Sequence, residues 1–293
     1  MKLKSLKRAF YKLFLLFPGS QNALISLFNG KSDFIKEHLY DMVAKRPPRI
    51  FRYSRNISIS TWGSEVMCPL REGSFNRDWE LLFALGHDLE VKKHYRKMIR
   101  LKEVAKFVDV GANYGLHSMI FLSHKIPAVI VEPIPECVKR INLLCELNGY
   151  SPIIHNIAAS NAVGSSVIAW PSSETWLGTL GSRISSKTYS HECEVKIDTI
   201  DNLGLIDGPN QLMKIDVEGH ELEVIEGAKH SIQKWHPTII FESFRETVMR
   251  TNIYNSLKSL NYSIEELSSI SGSLRKQAFI ISKCKNFLAK AAN

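Results

Sequence analysis

The stretch FVDVGANYG, residues 107–115, sets the reading of the whole chain. An apolar run holding Asp109 closes on Gly111, Asn113 and Gly115, the pattern of a buried strand that turns sharply into a helix. The rhythm repeats outward in AVIVEP (128–133), PIIHNIAA (152–159), LMKIDV (212–217) and PTIIFESF (237–244). Helical stretches at 135–148 and 219–234 fall between several of these runs. Continuous apolar strands alternating with helices predict a parallel sheet covered on both faces, an α/β fold.

Two β-like segments, SSVIAW (165–170) and ECEVKIDTI (192–200), interrupt this order around a Gly- and Ser-rich loop, WLGTLGSRISS (176–186). Near the end, YSIEELSSISG (262–272) and KQAFIISK (276–283) read as an antiparallel pair at the sheet edge. Ahead of the core, residues 21–46 look helical and RIFRYSRNISIST (49–61) alternates as a half-buried strand does. Residues 76–106 read as one or two helices leading inward. Residues 1–95 are expected to form a helical and β extension, and residues 96–293 the main domain.

A chain of 293 residues with 44% hydrophobic content has ample core. Its formal charge of +9 favours acidic partners without choosing among them. Cys68, Cys137, Cys145, Cys193 and Cys284 lie far apart with no CxxC pair, which fits a reducing cytoplasm and argues against a disulfide framework or structural zinc. No run approaches the ~20 apolar residues of a spanning helix.

Residues 1–17, MKLKSLKRAFYKLFLLF, set Leu3, Leu6, Phe10, Leu13, Phe14 and Phe17 at helical spacing, with Lys2, Lys4, Lys7, Arg8 and Lys12 mainly elsewhere. The uninterrupted apolar part is too short for a signal-peptide core. A basic amphipathic helix of this kind either lies on an anionic membrane, here the inner face, or packs on the main domain.

In open α/β sheets ligands bind beyond the carboxyl ends of the strands, where strand order reverses. Asp109, Gly111, Asn113 and Gly115 stand at such an end, and Glu132 closes the next strand, where a carboxylate can accept both hydroxyls of a ribose. The GxxxG spacing matches neither GxGxxG nor a phosphate-binding GxxxxGK. A further cluster, KIDVEGHE (214–221), brings Asp216, Glu218, His220 and Glu221 together where a strand turns into a helix through Gly219. Asp216 and Glu218 share a side if the strand continues that far. His220 or Asp216 can act as a base, while Glu221 also suits a helix N-terminus. A divalent metal would need a third carboxylate such as Glu242, and no metal is expected. His117 and Tyr114 lie close to the first turn, and Trp170 and Trp176 are either acceptor platforms or core.

DVGANYG, VEP, HNIAAS and MKIDVEGHELEVIEGA, in this order and spacing over about residues 95–245, resemble the FkbM family of methyltransferases. The resemblance implies a Rossmann-like class I methyltransferase fold with a seven-stranded, mostly parallel sheet. It also implies S-adenosyl-L-methionine as donor and a hydroxyl acceptor, often on a sugar or polyketide. Carried over by position, it puts the methionine part of the donor on Asp109, Gly111, Asn113 and Gly115, the ribose on Glu132, and the adenine near Asn156, Ile157 and Ala158. Asp216, Glu218 and His220 then face the transfer. The expected activity is O-methylation of a hydroxyl, preferably on a glycan or glycolipid, by a cytoplasmic or peripheral enzyme. The competing readings are a dinucleotide-dependent oxidoreductase and a basic RNA-modifying or RNA-binding protein. Nucleic acid is not the expected partner, because the basic residues concentrate in the first hundred positions.

Overall fold

The computed structural model describes residues 50–51, 56–62, 64–69, 73–74, 83, 87–171, 178–181, 189–267 and 272–292. The expected helices at 1–17 and 21–46, and Trp176, lie outside the described residues. The chain divides into two compact units, Met1–Leu89 and Glu90–Asn293. In the first unit, β1 (Ile50–Phe51) pairs antiparallel with β4 (Gly73–Ser74). A hairpin joins β2 (Asn56–Ser60) to β3 (Glu65–Pro69), with Ile57 opposite Cys68.

The second unit is built on a seven-stranded sheet. Its strands are β5 (Lys106–Val110), β6 (Ala128–Val131), β7 (Ile153–His155), β12 (Gln211–Ile215), β13 (Thr238–Glu242), β14 (Tyr262–Glu266) and β15 (Asn286–Ala291). Their spatial order is β14-β15-β13-β12-β5-β6-β7. β7, β6, β5, β12 and β13 run parallel, and β15 pairs antiparallel with both of its neighbours. Strand order therefore reverses between β5 and β12, and the crevice beyond their carboxyl ends is where this architecture places a ligand. Every residue of β6 and of β12 is buried, as strands covered on both faces require. The unit is thus an open, mostly parallel α/β sheet of seven strands, as the sequence led one to expect.

Seven helices are described. They are α1 (Leu89–Arg100), α2 (Leu116–Ser123), α3 (Pro135–Asn148), α4 (Glu221–Gly227), α5 (Lys229–Trp235), α6 (Thr247–Ser259) and α7 (Lys276–Ile281). Their limits follow local chemistry. Pro135 opens α3 and Gly149, at φ 69°, closes it, the usual division of labour between these residues. Asp201 accepts the backbone N–H groups of His230 and Ser231 and so caps the start of α5. The expected single helix at 219–234 is two helices meeting at Ala228.

Two expectations need correction. The run PIIHNIAA is not one strand: Ile153–His155 pairs with β6, whereas β8 (Ala158–Ala159) leaves for a second sheet. The Asn156 side chain stabilises that departure by donating to the backbone carbonyls of Glu132 and Pro133, at 2.8 and 2.9 Å. The second sheet also holds β9 (Gly164–Trp170), β10 (Thr179–Leu180) and β11 (His191–Asp198), in the order β10-β9-β11-β8.

The other correction lies at the chain's end. KQAFII is helix α7, and the edge partner of β14 is β15, residues that the expectation left out. Phe279 of α7 is fully buried against Phe241 and Phe287. Arg250 of α6 supplies the reason that this segment curls instead of pairing. Its buried guanidinium donates to the carbonyls of Phe279, Ile280 and Ser282 in this segment and of Ser243, Phe244 and Cys284 beside it, and so holds the segment's oxygens away from a strand ladder.

Candidate functional site

At the carboxyl end of β5 the Asp109 side chain is fully buried. Ser118, on α2, donates its hydroxyl to Asp109 Oδ2 at 2.7 Å, while Oδ1 has no hydrogen-bond partner among the described residues. A buried carboxylate oxygen left in this state is costly unless a donor or cation comes to it. The turn after β5 explains its glycines. Gly111 has φ +78°, and a Cβ there would lie 1.9 Å from the carbonyl oxygen of Asp216, so only glycine lets the ends of β5 and β12 approach. Gly115, at φ +71°, starts α2, and Asn113 between them takes φ +51°. This conformation turns the Asn113 N–H onto Glu132 Oε2 at 2.7 Å. The Asn113 side-chain oxygen accepts from the Cys137 thiol at 3.4 Å.

Glu132, just past β6, is almost wholly buried, and its second oxygen accepts from the Ile134 N–H at 2.9 Å. Burial pushes this carboxyl up to about 8; the two backbone donors oppose the rise, and the charges of Asp109 and Asp216 add to it. Each oxygen thus holds one backbone donor and retains a lone pair for a ligand hydroxyl.

Beyond β12, Asp216 Oδ2 accepts from the buried Lys214 ammonium at 2.8 Å. Lys214 stands opposite Asp109 in the strand register. Glu218, two residues on, sits at φ +52°, a strained conformation for a side chain with a Cβ. Burial pushes its carboxyl up to about 8, Asp216, Glu242 and Glu221 push the same way, and Lys285 opposes them. Glu221 is buried and its Oε1 accepts from the Gly219 N–H at 2.9 Å, closing the turn into α4. Burial also raises its carboxyl, to about 7.

His220 is held from two sides. Its Nε2 lies 3.0 Å from the Ser160 hydroxyl, at the end of β8, and its Nδ1 lies 3.5 Å from Glu223. The ring thus ties the first turn of α4 to the second sheet. Ala158 is buried in the small apolar cluster of Ile134, Cys137, Ile168, Trp170 and Val195. Ile157 packs on the main core. Trp170 is buried and stacks on His191 at 5.7 Å, the geometry of a core residue. His117 is buried edge-on to Tyr95, again in packing.

The described side chains therefore form a row of acids, Asp109, Glu132, Asp216, Glu218 and Glu242, across the ends of four neighbouring strands, with Lys214 and Lys285 against it. Such a row repels a phosphate and suits a cationic ligand with hydroxyl groups. Among the described residues no group of three or more His, Cys, Asp and Glu is arranged to hold a metal ion. Lys214, Ser118 and Ser160 carry contacts that sequence reading did not assign. A lysine within the otherwise apolar LMKI was the visible sign of the first; the serines gave none.

A solved structure of methyltransferase FkbM from Methylobacillus flagellatus KT is similar at 16% identity and TM-score 0.43, covering 64% of this chain and 44% of that one. The chain thus spans less than half the length of that protein. A SAM-dependent methyltransferase from Agrobacterium tumefaciens is similar at 10% identity and TM-score 0.44, over 83% of this chain and 72% of that one. The ribosomal protein L11 methylase of Lactobacillus delbrueckii subsp. bulgaricus is similar at 13% identity and TM-score 0.38, over 71% and 81%. No curated protein matches the sequence. The family model of the methyltransferase FkbM domain matches residues 109–264, more than half of the chain and the whole of the acid row. The acid row and the Gly111–Gly115 turn fall within that match, and the chain belongs to the FkbM family of methyltransferases.

Proposed function

We propose that the protein transfers a methyl group from S-adenosyl-L-methionine to a hydroxyl of a sugar in a glycan or glycolipid. The observation that carries the donor is Asp109, whose buried Oδ1 has no hydrogen-bond partner among the described residues and lies near Glu132. Adenosylmethionine fits these residues: its positive ammonium and sulfonium suit the acids, and its ribose offers two hydroxyls to Glu132. A dinucleotide would instead set its pyrophosphate against the acids, which disfavours the oxidoreductase reading. Polynucleotide phosphates meet the same repulsion.

Asp109 and the turn from Gly111 to Gly115 hold the donor's amino-acid end, Glu132 its ribose, and the segment from Asn156 to Ala158 borders the adenine. When bound, adenosylmethionine supplies an electrophilic methyl on sulfur that leaves a neutral thioether behind. Glu218 is the base: its carboxyl, raised to about 8, can take the hydroxyl proton as the new O–C bond forms. Asp216, compensated by Lys214, positions the acceptor, and His220, fixed by Ser160 and Glu223, keeps the Glu218 turn in place. Positioning of oxygen against methyl supplies the remaining acceleration.

Incubation with methyl-labelled donor and fractionated cell material tests the acceptor. Label in polysaccharide or lipid-linked sugar, stable to base as an ether is, is expected. Label confined to protein or RNA would overturn the hydroxyl-sugar assignment.

A further inference from the structure

Around the carboxyl end of β13 the surface is apolar where the site would be expected to meet water. Phe244 is 36% exposed, Val248 65% and Ile281 55%. They come from two segments far apart in sequence that Arg250 joins, since its guanidinium takes carbonyls from Ser243 and Phe244 on one side and from residues 279–284 on the other. Arg245 adds a second tie by donating to the carbonyl of Ile281 at 3.2 Å. Single exposed apolar residues need no explanation, but three clamped together do.

Cations accompany them. Arg245, Lys283 and Lys285 are all exposed, and the Lys285 ammonium lies 6.0 Å from the centre of the Phe244 ring. Of the nearby acids, Glu246 is committed to capping α6 through Val248 and Met249, and Glu242 faces Lys285 at 3.5 Å. The patch is therefore apolar at its centre and basic at its margin, the combination that matches the interface of an anionic bilayer. It also adjoins the acid row, because Glu242 and Lys285 both act on Glu218.

We propose that this face, Phe244, Arg245, Val248, Ile281, Lys283 and Lys285, docks on an anionic lipid bilayer. Phe244, Val248 and Ile281 enter the acyl boundary while the three cations meet lipid phosphates. Docking here sets the carboxyl end of β13 at the headgroup level. If the methyl-transfer reading also holds, which this consequence rests on, the accepted hydroxyl belongs to a molecule anchored in that bilayer.

Flotation of the full chain with vesicles tests the patch. Phosphatidylcholine vesicles containing phosphatidylglycerol are expected to carry the protein upward, pure phosphatidylcholine vesicles are not, and added salt should release it. Val248→Asp with Ile281→Asp, and separately Arg245→Glu with Lys283→Glu, should each weaken binding roughly tenfold with residues 1–17 intact. These positions are exposed, and unchanged adenosylmethionine affinity would certify the fold of each variant. Lys4→Glu with Lys7→Glu, in the first segment, should leave a patch-dependent share. Wild-type flotation of both patch variants, or capture by a protein in place of lipid, would overturn the proposal. Vesicle binding without adenosylmethionine binding would sink the functional reading alone and leave the docking face standing.

Discussion

On the proposed reading, Glu132 couples donor binding to protons. In the empty protein its carboxyl, raised to about 8, is mostly protonated at neutral pH. Ribose hydroxyls and a nearby sulfonium favour the ionised form, so binding should expel a proton. Calorimetry at pH 7 in buffers of different ionisation enthalpy is expected to report release approaching about one proton per site, and Glu132→Gln should abolish it. Asp109→Asn tests the neighbouring group. It preserves shape but removes the charge, and a loss of donor affinity of roughly tenfold to a hundredfold is expected. In the proposed mechanism Glu218 acts in the chemical step. Glu218→Gln should lower kcat by about a hundredfold or more while donor affinity stays within a few fold. In the native enzyme kcat should rise with pH and level off above about 8, because the base must be ionised. A Glu218→Gln enzyme with the native pH profile would clear this residue of the role.

Elements, in this molecule, are held by contacts of unequal visibility. The strands of the parallel sheet were legible because their apolar runs and terminal acids are local properties, and the GxxxG turn was legible because Gly111 answers a steric demand written at one position. Helix α7 was not. KQAFII carries a short apolar run that a strand could also hold, and the distant Arg250, which takes the carbonyls of Phe279, Ile280 and Ser282, holds it curled. β15 was overlooked because NFLAKA is short and follows a lysine-rich turn. The site divides the same way: Asp109, Glu132 and Glu218 could be picked by strand ends, whereas the tie of His220 to Ser160 joins segments whose sequences do not announce each other. The energetic weight of the hidden element is testable. Arg250→Ala leaves several buried carbonyls without donors, and a loss of about 3 kcal/mol or more is expected in chemical denaturation, with release of α7 seen as faster amide exchange at residues 276–284. Loss under 1 kcal/mol would mean that the guanidinium is not the clasp described here.

At the scale of the whole molecule, three glutamates held above their ordinary range weaken the empty protein at alkaline pH. Glu132, Glu218 and Glu221 rise to about 8, about 8 and about 7 from an ordinary value of 4.5. Raised carboxyl values mean that the folded state holds protons which the unfolded chain would release. The associated stability is present in full below pH 4.5 and is lost as pH rises through 7 to 8. Thermal unfolding of the empty protein is therefore expected several degrees lower at pH 8.5 than at pH 6, and a bound cationic donor should narrow that gap. Equal melting temperatures at the two values would show that these carboxyls are not held protonated by the fold. The central claim is that the acid row is a seat for adenosylmethionine. Its most direct test is equilibrium titration of the full chain with adenosylmethionine and, separately, with NAD at neutral pH. Saturable binding of adenosylmethionine that is lost in Asp109→Asn and Glu132→Gln, with no binding of NAD, is the predicted result; preference for NAD, or adenosylmethionine affinity untouched by both substitutions, would contradict the account.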